Sequence, residues 1–441
     1  MQKNKNAKFL VALFSAAFLF SIFYAFWFKV PLAVDAKAYN SIAWNLADGH
    51  GYKENKDLSY EQDYALGRAG PGYEFFLAGI YLLFGRPVFW PVIILQSIFH
   101  VLSGVFIALI YFELFGKREI NRPLLAGLFL FLFHPDLVQT NGMLLTEPLF
   151  IFLISASSYF IFRFFKRGGI SLVGLFVPAI LIASAVLVRP VAFLFFLIFT
   201  VSLLHKKYWR QAILVFCILA VIVGPWVFRN YLRHRILFTN ATGGMELWVS
   251  VLPDSAGEFY PSEEVSGYFE KNGLFKTAQY GKEEFKKFIF AHPGKFVLRQ
   301  FEKTSTYFSM LRTSGFWLYL SGSHQKIIIF SSMIFNSVLF SLGLAGFYLI
   351  FKKRYFLSDQ FLLFAASIPV AVIPVVVTGR YRYPLLVFLT VSAIFALEFI
   401  WKNKKIPKIL WFSAIFLLLN SSLDFFWHFS KVLSHLKTIG F

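Results

Sequence analysis

Two carboxylates, Asp35 and Glu147, and a set of arginine motifs are the parts of this chain that could do chemistry. Asp35 lies just beyond the apolar run 9–28, where folding does not require a charge. A carboxylate there can take a proton from an attacking hydroxyl, or it can cap the helix that follows. Glu147 stands in Leu144-Leu145-Thr146-Glu147-Pro148, where another apolar run begins. A first-turn acid followed by proline complements a helix dipole, so capping is one reading of it. Deeper in a span it would cost about 2.5–3.5 kcal/mol, and function would be the stronger reading. Arg68 precedes the stiff bend Gly70-Pro71-Gly72, which would hold its guanidinium at headgroup depth. Contact with a lipid phosphate and simple snorkelling both fit it. Arg189-Pro190, Pro225-Trp226 with Arg229-Asn230-Tyr231, and Gly379-Arg380-Tyr381-Arg382-Tyr383-Pro384 are further cations flanked by aromatics. Such groups serve as interfacial anchors or as forks for phosphate oxygens.

The elements that must position these residues are membrane helices. The chain has 441 residues, of which 58% are hydrophobic and only 15% charged, a balance unlike that of a soluble domain. A bilayer core about 30 Å thick takes roughly 20 helical residues, and apolar runs of that order recur along the whole sequence. They fall at about 9–28, 89–114, 123–137, 145–164, 170–188, 190–204, 211–228, 327–350, 359–378, 384–401 and 407–427. The fold class is therefore an all-α polytopic membrane protein with about eleven transmembrane helices. The net charge of +20 collects between alternate runs, at Lys3/Lys5/Lys8, Lys117/Arg118/Arg122, Lys166/Arg167, Lys206/Lys207/Arg210, Lys352/Lys353/Arg354 and Lys402/Lys404/Lys405/Lys408. By the positive-inside rule these mark the cytoplasm, so the basic residues reflect topology, not nucleic-acid binding. The first run reads as a retained signal anchor with a cytoplasmic N-terminus.

This topology puts segments 29–88 and 229–326 outside. In the first, Ala38, Ile42 and Leu46, then Phe75, Phe76, Ala78, Gly79 and Leu82, recur at helical spacing and predict two interfacial helices. The second contains Pro261-Ser262-Glu263-Glu264 and a charged amphipathic stretch over 271–290, and reads as a small helical lid. The chain accordingly divides into a catalytic membrane module (1–228), the lid region (229–326) and C-terminal helices (327–441).

Cys217 is the only cysteine, which excludes an internal disulfide and argues against a cysteine metal site. No Walker loop, dinucleotide fingerprint, Gly-x-Ser-x-Gly elbow or His-Glu-x-x-His is present. No cofactor is assigned. A divalent cation among Asp35, His134, Asp136 and Glu147 is conceivable, since His134-Pro135-Asp136 ends the third run on the same side.

The motifs taken in order resemble the GT-C class of membrane glycosyltransferases, in the branch with protein O-mannosyltransferases and lipid A aminoarabinose transferase. The resemblance rests on Asp35 with Tyr39-Asn40-Ser41, Gly49-His50-Gly51-Tyr52, Arg68-Ala69-Gly70-Pro71-Gly72-Tyr73, Thr146-Glu147-Pro148, Val188-Arg189-Pro190, Pro225-Trp226, Gly243-Gly244 and Arg380-Tyr381-Arg382-Tyr383-Pro384. It implies transfer of a sugar from a polyprenyl-phosphate donor to a lipid, glycan or protein hydroxyl on the extracytoplasmic face of a plasma membrane. Asp35 is then the expected base and Glu147 an orienting acid. Arg68, Arg189, Arg380 and Arg382 would hold the donor phosphate, and Tyr39, Tyr52, Tyr73 and His134 would line the site. Ala36 follows Asp35 where protein-modifying relatives carry an Asp-Glu pair, which counts against a protein acceptor. Glu74 replaces a usual proline, and no large polar segment follows the last run, so oligosaccharide transfer to asparagine is not expected. A transporter or flippase of a lipid-linked sugar is the alternative, and it predicts ionisable residues near span centres; Glu113 and Glu398 lie near span ends.

Overall fold

Each apolar run forms a helix, and proline or a polar cap commonly opens it. Pro91, Pro123, Pro135, Pro148 and Pro293 stand in first turns, and the Asn121 side chain accepts the Leu124 N–H at 2.9 Å to cap its helix. The computed structural model describes residues 2–430 and 433, apart from 33, 117–118, 170, 236, 238, 253–261 and 315–319. Lys117, Arg118 and Pro261 of the sequence reading lie outside the described residues, as do the side chains of Lys3 and Lys5. The helices are α1 (Gln2–Phe28), α2 (Val34–Ala47), α3 (Gly72–Phe84), α4 (Trp90–Phe115), α5 (Arg122–Leu132), α6 (Pro135–Asn141), α7 (Glu147–Lys166), α8 (Val173–Val188) and α9 (Ala192–His205). They continue with α10 (Trp209–His234), α11 (Thr242–Val249), α12 (Glu263–Ala291), α13 (Pro293–Phe308), α14 (Gly322–Lys353), α15 (Ser358–Val372), α16 (Leu385–Asn403) and α17 (Lys408–Trp427).

The protein is a multi-pass membrane protein. Among the described residues seven helices, α1, α4, α7, α10, α14, α16 and α17, are long and apolar enough to cross a bilayer. An eighth crossing exists if α5 and α6, bent by 52° between them, count as one broken span. The expected figure of about eleven is thus not reproduced by full-length spans. Helices α8, α9 and α15 do occupy three of the predicted runs but are shorter. Proline explains much of this: Pro135 follows the break after α5, and Pro190 separates α8 from α9, because proline removes an N–H and disfavours helix in the residue before it.

Helix α16 is the centre of the bundle: residues 385–396 are all buried, with α14, α5, α4 and α15 packed round it. By contrast α17 exposes Trp411, Phe412, Leu418 and Phe426, the pattern of a helix facing lipid. Glu113 and Glu398 pair with Lys166 at 3.2 Å and Lys402 at 2.8 Å, at the ends of their helices that carry the basic clusters.

The two long segments meet each other at the opposite end. Ile42, Tyr52 and Leu66 from the first share an apolar cluster with Trp226 of α10 and with Leu274 and Ala278 of α12. Backbone and side chains add to it: the Ala241 N–H donates to the Leu66 carbonyl at 2.8 Å, and the Thr242 hydroxyl to Gly67 O at 2.8 Å. Helix α11 lies so close on α12 that a Cβ on Gly244 would come within 1.9 Å of the Ala278 carbonyl oxygen. The expected helices of segment 29–88 are present as α2 and α3. The amphipathic stretch 271–290 falls within α12, which is kinked at Gly273 (φ 76°).

Candidate active site

Five chain segments bring one charged cluster together. Asp35 stands in the first turn of α2, where its position near the helix N-terminus favours negative charge. Arg68 leaves the loop before α3. That loop is pressed onto the end of α8: Gly70 N–H donates to Val188 O at 3.2 Å, and a Cβ at Gly70 would lie 2.0 Å from the Leu187 carbonyl oxygen. Only glycine fits, and this contact brings the Arg68 loop up to the α8 terminus that carries Arg189. Glu147 opens α7, and Arg380 projects from the 3-10 turn Gly379–Arg382 that leads into α16.

The side chains form a continuous ionic chain. Arg68 makes a two-point contact with Glu54, Nε to Oε2 at 3.0 Å and Nη2 to Oε1 at 2.8 Å, and its Nη1 lies 3.4 Å from Asp35 Oδ1. The other Asp35 oxygen accepts from Arg380. Arg380 Nε also lies 3.7 Å from Glu147 Oε1. Glu147 in turn accepts from Arg189 Nη2 at 2.6 Å, while Arg189 Nε donates to the Thr146 hydroxyl at 2.8 Å. Phe150 and Tyr381 lie 5.9 and 5.4 Å from the Arg189 guanidinium. Glu147 is fully buried and Arg189 nearly so, whereas Asp35, Arg68 and Arg380 keep partial exposure.

Burial by itself would raise the Asp35 pKa, but Arg380, then Arg68 and Arg189, outweigh it and hold the carboxyl below its usual range. Asp35 is therefore ionised at neutral pH, with its basicity weakened by the cations around it. Two other acids behave in the opposite sense. Burial pushes Glu74, in the first turn of α3, up to about 8 despite Tyr52 and Arg68; neither of its oxygens has a hydrogen-bond partner among the described residues. Burial likewise raises Glu246 of α11, although Arg189 and Arg380 act on it in the other direction. Three guanidiniums, on Arg68, Arg189 and Arg380, thus face three paired carboxylates, on Asp35, Glu54 and Glu147. A phosphate entering such a balanced set competes with the carboxylates for guanidinium N–H donors.

The remaining sequence candidates sit elsewhere or act differently. Arg382 is buried on another side of the turn, donating to Ser309 O at 2.5 Å and Arg312 O at 2.8 Å. Tyr39 is buried near Asp35, and burial followed by that carboxylate keeps its phenol protonated. Tyr73 packs edge-on against Tyr39 but gives its hydroxyl proton to Gln96 at 2.7 Å. Tyr52 lies against Trp226 and acts on Glu74. His134 stands at the break before α6, beside Phe335, and no described contact joins it to Asp35 or Glu147. Its neighbour Asp136 accepts from Ser314 (2.7 Å), Ser332 (2.6 Å) and Asn336 (3.3 Å). The conceivable four-residue cation site is therefore split in two. Among the described residues no three of His, Cys, Asp and Glu gather as a metal-holding group. Glu54 and Glu246 are not among the sequence candidates, and Thr146 enters there only as a neighbour of Glu147. Glu54 was hidden in a polar loop where acids are ordinary, and Glu246 follows Gly243-Gly244 as an acid in an otherwise apolar stretch.

No protein-family model matches the sequence, nor does any curated protein. Solved structures do resemble it. The oligosaccharyltransferase AglB from Archaeoglobus fulgidus, in complex with an inhibitory peptide and a dolichol-phosphate, superposes with a TM-score of 0.55 at 15% identity over 94% of this chain. The same enzyme tethered to an acceptor peptide gives 0.56 at 14% identity, also over 94%. The chain covers 55% and 54% of those longer chains, about half their length. ArnT from Cupriavidus metallidurans bound to undecaprenyl phosphate is a looser match, at a TM-score of 0.40 and 16% identity over 87% of this chain and 77% of that one, and adds no argument. With the helices and motifs already described, the oligosaccharyltransferase likeness shows that this chain has the GT-C membrane fold.

Proposed function

We propose that the chain is an inverting glycosyltransferase that moves a sugar from a polyprenyl-phosphate carrier to an acceptor hydroxyl. The reading places the reaction on the extracytoplasmic face of a plasma membrane, because the basic clusters gather at the other end of the bundle. One observation carries it: Asp35 shares two guanidiniums, those of Arg68 and Arg380, with Glu54 and Glu147 at one end of a GT-C fold. Phosphate oxygens arriving at Arg68 and Arg380 would compete for the donors that Asp35 now holds. Losing those donors restores basicity to Asp35, so the proton acceptor becomes competent when the donor is bound. The acceptor oxygen then bonds to the anomeric carbon as the bond from that carbon to the phosphate oxygen breaks. The hydroxyl proton passes to Asp35, and the carrier leaves as a phosphate monoester stabilised by Arg68, Arg189 and Arg380. Glu147 holds Arg189 and faces Arg380, which fixes their directions. Segment 229–326 serves as the lid, supported by the bonds from Asn240 and Thr242 to the backbone of the Arg68 loop. A lipid or glycan acceptor fits Ala36 better than a protein one.

The test uses full-length protein in nanodiscs, a panel of radiolabelled polyprenyl-monophosphate sugars and an envelope lipid extract. Label is expected in the extract with wild-type protein, and Asp35→Asn is expected to stop transfer while the carrier still binds. Transfer at the wild-type rate by Asp35→Asn, or none from any sugar on the panel, would overturn the reading.

A further inference from the structure

The aromatic-flanked group at Trp226 and Arg229 takes no part in the Asp35 cluster. Arg229 and Arg233 are four residues apart at the end of α10, so their side chains share one face. Both guanidiniums converge on a single ring, lying 5.4 and 4.5 Å from the centre of Tyr60, and Arg229 also lies 4.9 Å from Trp226. Lys53 adds a third positive charge 4.8 Å from the same ring, although its ammonium already donates to the Leu58 and Lys56 carbonyls. Asn230 accepts one Arg229 bond at 2.9 Å. Among the described residues no carboxylate pairs with Arg229 or Arg233, and the exposed Glu61 faces Lys53 and His234 without pairing with either.

A helix end favours basic residues in its last turn, which accounts for Arg233 and His234. It does not account for Arg229, which stands before that turn and shares the Tyr60 ring with the like-charged Arg233. Two guanidiniums held on one ring without a counter-charge repel each other, and an anion between them removes the repulsion. The same helix end also exposes Phe228, Tyr231 and Leu232, apolar surface suited to lipid chains.

We propose that Arg229 and Arg233, backed by Tyr60, bind the phosphate of a membrane lipid at a site separate from the Asp35 cluster. The guanidinium forks take the phosphate oxygens, and the acyl or prenyl chain lies along Phe228 and Leu232. Tyr52 lies edge-on to Trp226 at 4.7 Å and shares an apolar cluster with Ile42 and Leu66. The inference holds whether or not the chain transfers sugars.

Native mass spectrometry of the detergent-purified full chain with dioleoyl phosphatidic acid tests it. Wild-type protein is expected to retain phosphatidic acid in preference to phosphatidylcholine, and Arg229→Gln with Arg233→Gln to weaken that retention about tenfold or more. Arg229→Lys with Arg233→Lys keeps the charge but loses the forks, and an intermediate loss is expected; it also covers the case in which the glutamine variant does not fold. Lys287→Gln, at an exposed lysine of α12, is expected to leave retention unchanged. Undiminished binding by both double variants, or equal loss with Lys287→Gln alone, overturns the site. Complete displacement by millimolar inorganic phosphate overturns its assignment to a lipid.

Discussion

Two acids, Asp424 and Asp35, each bind arginine, and they are built in opposite ways. Asp424 of α17 accepts from Arg312 Nε at 2.9 Å and Nη2 at 2.8 Å and from the Thr306 hydroxyl at 3.0 Å, with His428 Nδ1 3.0 Å from its Oδ1. The carboxylate is sealed from solvent and ties α17 to α13 and the turn after it. Asp35 instead remains partly exposed, and its arginine partners are shared with Glu54 and Glu147. Glu74 and Glu246 stand near it, with raised pKa values and no ion pair among the described residues. A buried acid whose lone pairs are all matched acts as a tie between helices. An acid whose donors have alternative partners can release them to a ligand, and that difference separates the proposed site from the tie.

The sharpest way to break the comparison is Asp35→Asn. It should lower transfer about 10²–10⁴-fold, as loss of a general base does, with little change in thermal midpoint, measured by radiolabel transfer and by scanning fluorimetry. Equal loss of fold and activity would make Asp35 a tie like Asp424. Next comes Asp424→Asn, which removes the carboxylate charge from a buried ion pair with Arg312 and should destabilise the protein by about 3–5 kcal/mol. The fraction that remains folded should keep its turnover, which specific activity after size exclusion will reveal. A smaller effect concerns Glu74. Its folded pKa of about 8 lies above the ordinary value of 4.5, so its favourable contribution is complete below pH 4.5 and is lost as pH rises through 8. Thermal stability should therefore fall over that window, by at most about 1.4 kcal/mol per pH unit from this group, and Glu74→Gln should flatten the slope. An unchanged slope in the variant would mean that Glu74 titrates normally. The smallest effect is expected from Tyr73→Phe, which deletes the bond to Gln96. A cost of about 1 kcal/mol with unaltered transfer would place Tyr73 with the ties, whereas a fall in turnover would return it to the site.

Much of this architecture is legible in the chain itself. Runs of apolar residues fix where helices form, because a backbone in lipid must satisfy its own hydrogen bonds. The basic clusters distinguish one end of the bundle from the other, and Asp35, Arg68, Glu147, Arg189 and Arg380 could be singled out because charge beside an apolar run is costly without a purpose. Span count was less legible: 170–188, 190–204 and 359–378 read as spans by hydropathy, yet the helices there prove short, with Pro178 and Pro369 inside two of them and Pro190 between α8 and α9. Glu54 could not be told from other loop acids, since nothing local says that it meets Arg68.

Composition and order along the chain thus determined a helical membrane protein with its chemistry-bearing residues gathered towards one end. Only the tertiary structure decided which of them touch. Arg380 and Arg382 make the point: in sequence they are equivalent members of one aromatic-flanked motif. In a 3-10 turn, with three residues per turn, positions two apart lie on different sides. Arg380 accordingly reaches Asp35 and Glu147, while Arg382 turns to the Ser309 and Arg312 carbonyls, and no pattern of residue types separates the two.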